Sequence, residues 1–405
     1  MKHAMNRRRF AKLLGAGAAY IAAAPGLTLA NPLDADSTVR SIKDSSVIRL
    51  SSNENPYGPS PLALKAMSKA FGLAWRYPDE HADMLVKLLA KVNSVGADQI
   101  LLGDGSGEIL KLCAAAFTGP SANGDRPITV LRSTRGTSPP FMLGRGKLVV
   151  ADPTFEAIIN HAAVNGAEVV KVPLTSGFAH DLPQMLAAAS EGLIYVCNPN
   201  NPTASITPKV ELRDFISKVP GSTMILVDEA YHHYADSADY ESVVPLVNQY
   251  PNLIVARTFS KIYGMAGLRC GYGVAQRETI QRLRPHQTWD SMNIMALAAA
   301  IASLNDASHV GAGAQRNRET RNMLSGELEK MGYKHIPSQA NFMMIDVKQP
   351  VSPLIAELKT RGVEVGRLFP ALPNYMRVTI GKKSEIETFL AAFREVTAST
   401  NRNLN

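Results

Sequence analysis

Short apolar runs rich in Val, Ile and Leu alternate with longer helical stretches from about residue 98 to residue 275. Strands of a parallel sheet are buried on both faces, so they read as continuous apolar runs rather than as an alternation of apolar and polar positions. The pattern therefore predicts an α/β fold around a mostly parallel sheet. The predicted strands cover residues 99–102, 148–151, 168–172, 192–197, 224–227, 253–256 and 269–274.

The pattern changes after about residue 305, where a charged helical stretch at 315–330 precedes short apolar segments and one more helix. This change predicts a second, smaller α+β domain. We expect residues 31–75 to form an N-terminal arm and part of this small domain, residues 76–305 the large domain, and residues 306–405 the C-terminal small domain. Residues 120–146 are rich in Gly, Pro, Ser and Arg without clear periodicity, which predicts an inserted loop or lid.

The first thirty residues are typical of an export signal. A basic start is followed by a small apolar run at 13–24 and by Pro25. Residues 6–12 resemble the twin-arginine consensus of two arginines, a spacer, Phe and a nearby Lys. We therefore expect export by the twin-arginine machinery to the periplasm, with cleavage after Ala30. No stable membrane insertion is expected afterwards, since the run is shorter than the roughly 20 residues that span a bilayer. The alternatives are an uncleaved anchor or a fortuitous basic N-terminus.

Charge and cysteine content narrow the class of protein. The formal charge is +8, and the basic residues among the first twelve positions supply five of it, which leaves +3 for the rest. Without a basic stripe interleaved with aromatic residues, nucleic-acid binding is not expected.

Cys113, Cys197 and Cys270 are far apart and form no CxxC motif. We interpret them as buried thiols, the alternative being one disulfide and one free cysteine.

Most polar motifs begin where a predicted strand ends, and ligands of open α/β sheets collect at the carboxyl ends of strands, which indicates one shared site. Lys261 follows the strand at 253–256. A lysine amine must lose its proton to form an imine, which a desolvated site with a nearby cation favours. The hydroxyls of Thr258 and Ser260, together with Arg269, are suited to binding a phosphate. Taken alone, a lysine after a strand indicates a solvated or capping amine, and only the neighbouring residues favour the imine.

The motif GDGSGE at residues 103–108 is a second candidate phosphate element, because it follows a strand and opens a helical run at 109–117. The backbone N–H groups of Ser106 and Gly107 would lie at the positive end of that helix. The motif also fits an ordinary glycine-rich turn. It lacks the Lys-Ser/Thr ending of a P-loop, so a nucleoside triphosphate is not implied.

Asp228 follows the apolar strand at 224–227. An acidic side chain at the end of a buried strand needs a partner, and a protonated pyridine nitrogen provides one. Tyr231 and Asn201 are placed to reach the phenolic oxygen of the same ring. The alternative is that Asp228 caps the next turn and Tyr231 packs in the core.

Together the motifs resemble, in order and approximate spacing, those of fold-type I aminotransferases that depend on pyridoxal 5′-phosphate (PLP). They are LSSNENPYGPSP (50–61), RYPDE (76–80), GDGSGE (103–108), CNPNNPT (197–203), VDEAY (227–231), TFSKIYGMAGLRCGY (258–272), ANF (340–342) and MRVTIG (376–381). The resemblance covers residues 47–395 and is greatest to histidinol-phosphate aminotransferases. It implies a large domain with a mostly parallel seven-stranded sheet plus a smaller α+β domain.

The resemblance also implies roles around the cofactor ring. Lys261 matches the lysine that holds PLP as a Schiff base and moves the proton between the substrate Cα and the cofactor C4′. Asp228 matches the carboxylate that keeps the pyridine nitrogen protonated. Asn201 and Tyr231 match the donors to the ring oxygen O3′. Phe155 stands where the family has a stacking aromatic residue, usually Tyr.

Further roles follow for the phosphate and the substrate. The residues that match the phosphate cup are Ser106, Gly107, Ser260 and Arg269. Tyr77 matches a tyrosine that reaches the phosphate of the neighbouring subunit's cofactor, which implies a homodimer with shared active sites. Arg377 matches the arginine that clamps the substrate α-carboxylate. Asn53 and Tyr57 lie in the N-terminal segment that closes over the substrate.

The implied activity is amino-group transfer between an amino acid, histidinol-phosphate-like or aromatic, and a 2-oxo acid such as 2-oxoglutarate. The chain departs from the family at Ala204, where Gly is usual, in its long segment 120–146, and at Gly366, which intervenes before Arg367 where Arg commonly follows Val directly. Histidine biosynthesis is cytoplasmic, so we expect an exported member to act on a different amino acid, such as an aromatic one. The alternatives are a PLP-dependent decarboxylase or carbon–sulfur lyase, or a non-catalytic PLP-binding exported protein.

Overall fold

The structure is a computed structural model that describes residues 47–120 and 145–403, with side chains described up to residue 398. The export signal predicted at residues 1–30 and most of the insert predicted at 120–146 lie outside the described residues.

Twelve strands and eleven α-helices form within the described ranges. The strands are β1 (Ile48–Leu50), β2 (Ile100–Gly103), β3 (Lys147–Asp152), β4 (Val169–Pro173), β5 (Gly192–Cys197), β6 (Thr223–Asp228), β7 (Leu253–Thr258), β8 (Gly271–Ala275), β9 (Lys334–His335), β10 (Phe342–Asp346), β11 (Val363–Val365) and β12 (Tyr375–Thr379). The helices are α1 (Pro61–Ala70), α2 (Asp79–Asn93), α3 (Ser106–Phe117), α4 (Ala157–Val164), α5 (Leu182–Ala187), α6 (Lys209–Lys218), α7 (Arg277–Leu283), α8 (Ile294–Leu304), α9 (Ala307–Lys330), α10 (Val351–Thr360) and α11 (Lys383–Asn403).

Seven strands form the central sheet in the order β2-β8-β7-β6-β5-β3-β4. Strands β3 to β7 run parallel, whereas β8 is antiparallel to both β7 and β2. The α/β fold with a mostly parallel seven-stranded sheet is therefore confirmed. All seven predicted strands are present, with ends that differ by at most two residues. The strand predicted at 269–274 starts later because Arg269 has a left-handed backbone, with φ 57°.

The central strands bury alternate residues on opposite faces of the sheet. In β5, Ile194 and Val196 belong to one apolar cluster, and Leu193 and Tyr195 belong to another. Successive strand residues point to opposite faces, so a strand covered on both sides is apolar throughout. This explains why the sequence shows continuous apolar runs here.

The second part of the chain builds two smaller sheets around its own core. Strand β10 lies between β12 and β9 in an antiparallel sheet, and β1 pairs in parallel with β11. Strand β1 precedes the large sheet in the sequence, so the chain returns to this core after the large sheet is complete. Leu50 of β1 packs in the same apolar cluster as Phe389 and Phe393 of α11.

Cys113, Cys197 and Cys270 are all buried and unpaired, which confirms the prediction of buried thiols. Within the described ranges no helix combines the length and the apolar character needed to cross a bilayer.

Candidate active site

Three neighbouring parallel strands deliver polar residues to one edge of the large sheet. Asp228 ends β6, where it pairs with Cys197 at the end of β5 and with Ala256 of β7. Asn201 lies just beyond β5, and Lys261 lies just beyond β7. The carboxyl ends of parallel strands meet at one edge, so side chains far apart in sequence share one site.

Lys261 carries an amine that burial deprives of solvent. Its Nζ donates to the backbone oxygen of Asn53 at 3.2 Å and lies 5.4 Å from the centroid of the Tyr231 ring. Burial lowers the pKa of Lys261 to about 8; the positive charge of Arg377 adds to this effect, and the negative charge of Asp228 opposes it. About one tenth of this amine is therefore uncharged at pH 7, far more than for an ordinary lysine, and that form can act as nucleophile or base.

Asp228 is buried, with only 2% of its surface exposed. The hydroxyl of Tyr195 donates to its Oδ2 at 2.9 Å, and the backbone N–H of Ala230 donates to its Oδ1 at 3.1 Å. Burial raises the pKa of Asp228 to about 6, although these two donors favour the charged form. In the part of the chain that the structure describes, no cationic side chain forms an ion pair with this carboxylate. A buried carboxylate in that position has room for a cationic ligand group.

Tyr231, Asn201 and Asn53 form a hydrogen-bonded group beside Lys261. The Nδ2 atoms of Asn53 and Asn201 donate to the Tyr231 hydroxyl oxygen at 3.1 and 3.4 Å. The Tyr231 ring packs edge-on against Phe342, with centroids 5.0 Å apart. Burial raises the pKa of Tyr231, so its hydroxyl keeps its proton and can donate it to an oxygen of a ligand.

Arg377 joins this group from β12 of the smaller sheet. Its Nη1 donates to Oδ1 of Asn201 at 2.8 Å, and its Nη2 donates to the backbone oxygen of Ser51 at 2.7 Å. Its Nε is buried without a hydrogen-bond partner. A buried guanidinium with an unused donor is suited to a carboxylate ligand, which accepts from such a fork.

Gly366 makes room for Arg377. A Cβ atom at residue 366 would lie 2.8 Å from the backbone oxygen of Arg377 and 3.1 Å from its Nε. Real side chains do not approach so closely without a shift of the backbone. Residue 366, which lies between Val365 and Arg367, is therefore glycine for a steric reason: a larger side chain would collide with Arg377.

A cluster of donors lies at the N-terminus of α3. Ser106 and Gly107 are the first residues of this twelve-residue helix. Arg269 donates from Nη1 to the Ser260 hydroxyl at 3.2 Å and from Nη2 to the backbone oxygen of Asp104 at 3.3 Å. A Cβ atom at Gly105 would overlap the Arg269 guanidinium. Helix N–H groups, a hydroxyl and a guanidinium are together suited to binding a phosphate.

Comparison with known proteins identifies the family. The family model "Aminotransferase class I and II" matches residues 45–393. A histidinol-phosphate aminotransferase of Moorella thermoacetica is 38% identical over 362 residues, which cover 88% of this chain and 86% of that protein. One of Symbiobacterium thermophilum is 37% identical over 351 residues, 86% of this chain and 90% of that protein. The chain belongs to the class I and II aminotransferases.

A solved structure agrees with this assignment. The crystal structure of histidinol-phosphate aminotransferase from Sinorhizobium meliloti in complex with pyridoxal-5′-phosphate matches with a TM-score of 0.77 at 25% identity, and the match covers 93% of this chain and 98% of that one. The predictions of the family, of PLP as cofactor and of the fold-type I architecture are confirmed.

The residues of this aminotransferase fit PLP at each of its functional groups. The donors around the N-terminus of α3 suit the phosphate, the amine of Lys261 with its lowered pKa suits the aldehyde, and Tyr231 and Asn201 suit the ring oxygen. Asp228 supplies the buried carboxylate that a protonated pyridine nitrogen requires. The decisive observation is that this carboxylate is buried with two neutral donors and no ion pair among the described side chains.

Each residue then has a role that follows from its charge and position. PLP, when bound, would withdraw electrons from the substrate Cα. Asp228 would hold a proton at the ring nitrogen, because that proton and the Tyr195 hydroxyl would stabilise its negative charge. Lys261, with its lowered pKa, would take the proton from the substrate Cα and later return a proton. Arg377 would bind the substrate carboxylate and so orient the Cα–H bond toward Lys261.

Three predicted site residues of the aminotransferase are more exposed to solvent than the residues around Lys261. Phe155 and Tyr57 are each 39% exposed, and Tyr77 is 77% exposed. The guanidinium carbon of Arg316 lies 4.4 Å from the centroid of the Tyr57 ring. Asn53, predicted like Tyr57 to lie in the segment that closes over the substrate, is buried and hydrogen-bonded to Tyr231 and Lys261. It has φ 55°, which Asn tolerates better than most residues.

Other residues of the site were not identified from the sequence. Thr379 accepts from the backbone N–H of Asn53 at 2.9 Å, and Asn341 donates to the Asn53 oxygen at 3.0 Å. Tyr195 was also missed, although its place in the strand could have identified it. It lies two residues before Cys197 on the same face as Asp228, and a hydroxyl in an otherwise apolar strand needs a partner.

Proposed function

We propose that this aminotransferase transfers the amino group of an aromatic or imidazole-bearing amino acid to a 2-oxo acid such as 2-oxoglutarate. The observation that carries the proposal is the buried, unpartnered Nε of Arg377, whose Nη1 donates to Asn201 and whose charge acts on the amine of Lys261. It favours a donor with an α-carboxylate. The guanidinium carbon also lies 5.6 Å from the Phe342 ring centroid and 5.1 Å from that of Phe369, so apolar rings flank the clamp. The sequence similarity to histidinol-phosphate aminotransferases supports a donor with a related ring.

A panel of single amino acids tests the proposal in the PLP-loaded enzyme. We expect aromatic amino acids and histidine to change the visible spectrum and to yield glutamate when 2-oxoglutarate is added. A clear preference for histidinol phosphate would contradict the proposed donor class. Carbon dioxide or pyruvate released without amino-group exchange would instead indicate a decarboxylase or carbon–sulfur lyase. A spectrum that no amino acid changes would indicate a non-catalytic PLP-binding protein.

We also propose that the enzyme is a homodimer in which Tyr77 reaches the phosphate site of the partner subunit. Support comes from the aromatic side chains of Phe71, Trp75 and Tyr77, which are 66%, 76% and 77% exposed on consecutive turns between α1 and α2. Trp75 and Tyr77 line a groove of about 810 Å³. Contiguous exposed rings are unusual on a monomer and are typical of interaction surfaces.

Light scattering after gel filtration tests the dimer. We expect the mass of two chains for the wild type and a monomer for Trp75→Glu. The control is Val210→Glu, a similar change at an exposed residue of α6 outside this aromatic surface. A monomeric wild type would contradict the proposal.

We further propose that residues 1–30 direct export through the twin-arginine route to the periplasm. Support comes from the basic start, the short apolar run and Pro25. This route carries folded proteins, which suits an enzyme that binds its cofactor before export. We expect replacement of Arg7 and Arg8 by Lys to retain a full-length enzyme in the cytoplasm, as measured by cell fractionation. Unchanged export of that variant would contradict the proposal.

A further inference from the structure

A buried ion pair lies one residue away from the carboxylate that suits the cofactor ring. Glu229 directly follows Asp228 at the end of β6, and Arg257 is the penultimate residue of β7. The Nε and Nη2 atoms of Arg257 donate to Oε2 of Glu229 at 3.0 and 2.8 Å. The two side chains are only 11% and 1% exposed. The core beside the active site therefore contains one additional anion and one additional cation.

Further hydrogen bonds hold both partners of this pair in place. Oε1 of Glu229 accepts from the backbone N–H of Val243 at 2.7 Å, and its Oε2 accepts from the Ser242 hydroxyl at 2.8 Å. Nη1 of Arg257 donates to Oδ1 of Asn93, the last residue of α2, at 3.0 Å. Removal of one partner from a buried pair leaves the other charge without compensation, because the core offers no water to solvate it.

The backbone connects the pair to the cofactor site. Asp228 and Ala256 are partners in the register of β6 and β7, and the next residue along each strand belongs to the pair. The backbone N–H of Glu229 also donates to the oxygen of Ala256 at 2.9 Å. An uncompensated charge on either member of the pair would therefore act on the Asp228 carboxylate at short range.

The charges near Asp228 are balanced. Burial raises its pKa to about 6, the positive charge of Lys261 lowers this pKa, and the negative charge of Glu229 raises it. The neighbouring titratable side chains that burial keeps protonated are Tyr195, Cys197 and Tyr231. The charge left at residues 229 and 257 thus helps to decide how readily Asp228 ionises.

The pair itself has mostly uncharged neighbours. The titratable side chains near it are His232, His233, Tyr240, Tyr263 and Tyr272. Burial lowers the pKa of both histidines and raises the pKa of Tyr240 and Tyr263, so these four groups carry no charge near neutral pH. Arg257 and Glu229 therefore neutralise each other.

We propose that Glu229 and Arg257 are positioning residues that act as a neutral pair, so that the negative charge offered to the ring nitrogen of PLP is that of Asp228. Glu229 keeps the guanidinium of Arg257 occupied. Without Glu229, that guanidinium would compete with the proton of the ring nitrogen for the charge of Asp228, because arginine does not lose its proton in proteins. The inference concerns the cofactor, so it does not depend on which amino donor the enzyme uses.

Infrared titration of Asp228 in the full-length, PLP-free enzyme tests this charge balance, with each protein referenced to the same protein carrying Asp228→Asn. In Glu229→Gln, Arg257 loses its anion and keeps its charge. We expect the Asp228 carboxylate band to appear about one pH unit lower than in the wild type, because a nearby cation favours the ionised form. The double variant Glu229→Gln/Arg257→Met removes both charges and should titrate as the wild type does. A merely structural role predicts instead that the double variant differs from the wild type at least as much as Glu229→Gln does.

A second measurement compares the binding of PLP with that of its 1-deaza analogue, in which carbon replaces the ring nitrogen. Only PLP can place a proton opposite Asp228. We expect the affinity ratio of PLP to the analogue to fall roughly tenfold in Glu229→Gln and to recover in the double variant, since one pH unit corresponds to a factor of ten. General damage to the fold would weaken both ligands alike and leave this ratio unchanged.

Asp236→Asn is the matched control, because it removes the carboxylate partner of Arg321, another largely buried arginine. It should change neither the Asp228 titration nor the affinity ratio. If Glu229→Gln does not fold, Arg257→Met gives the comparison with the opposite sign, since its unpaired carboxylate should raise the Asp228 midpoint. An Asp228 titration that is the same in the single variant and the wild type would overturn the proposal. A double variant that does not recover would overturn it as well.

Discussion

Replacement of Tyr195 by Phe removes one hydrogen bond from the carboxylate that faces the cofactor ring. The Tyr195 hydroxyl donates to Oδ2 of Asp228 at 2.9 Å, and both side chains are buried. Burial raises the pKa of Tyr195 well above its usual range, so the hydroxyl remains a donor at every pH at which the enzyme works. The variant keeps the ring and its packing, and only the donor is lost.

The size of the effect follows from the charge of the acceptor. A hydrogen bond to a charged group contributes about 1.5–3 kcal/mol, and one pH unit of pKa corresponds to about 1.36 kcal/mol. Loss of the donor disfavours the ionised carboxylate, so the pKa of Asp228, about 6 with Tyr195 present, should rise by roughly one to two pH units. At neutral pH the ionised fraction then falls about two- to tenfold.

Two measurements check this reasoning. In the PLP-free enzyme, infrared difference spectra referenced to Asp228→Asn should show the carboxylate band appearing at higher pH in Tyr195→Phe than in the wild type. In the loaded enzyme, the acidic limb of the kcat/KM profile should move in the same direction, because a protonated Asp228 cannot hold a proton at the ring nitrogen. Tyr333→Phe, in the smaller part of the chain, is the control for the loss of a hydroxyl. An Asp228 titration that is the same with and without Tyr195 would refute the argument.

Three further outcomes are expected. Gly366→Ala should lower the free energy of unfolding by about 1–3 kcal/mol, because the new Cβ would lie 2.8 Å from the Arg377 backbone oxygen. It should also raise KM for amino donors more than it weakens PLP binding. The same KM in the variant and the wild type would contradict this. Ala204→Gly should raise the free energy of unfolding by about 1 kcal/mol in urea titrations, since Ala204 has φ 59°; an unchanged midpoint would argue against backbone strain. PLP should associate with the PLP-free enzyme more slowly as the pH falls below about 8, because protonation removes the nucleophilic lone pair of Lys261. Stopped-flow absorbance measures this rate. A rate that does not change between pH 9 and pH 6 would contradict the lowered pKa of Lys261.

Much of the site could be predicted because the fold brings the ends of parallel strands together. Asp228, Asn201 and Lys261 each follow an apolar run, so strand assignment alone places them at one edge of the sheet. The roles of Arg377 and Tyr77 came from the family resemblance, since no local pattern connects either of them to the strands. The substrate contact of Asn53 stays a prediction, and the structure adds that its side chain donates to Tyr231.

The sequence by itself determined the α/β class, the strand positions and the residues at strand ends, because burial on both faces leaves a local apolar signature. Only the tertiary structure decided which distant groups meet: Tyr195 with Asp228, Gly366 against Arg377, and Glu156 with Arg367. These contacts join parts of the chain whose local patterns are independent of one another. Their distances and burial, which set the pKa of Asp228 and the space around Arg377, exist only once the sheets have packed.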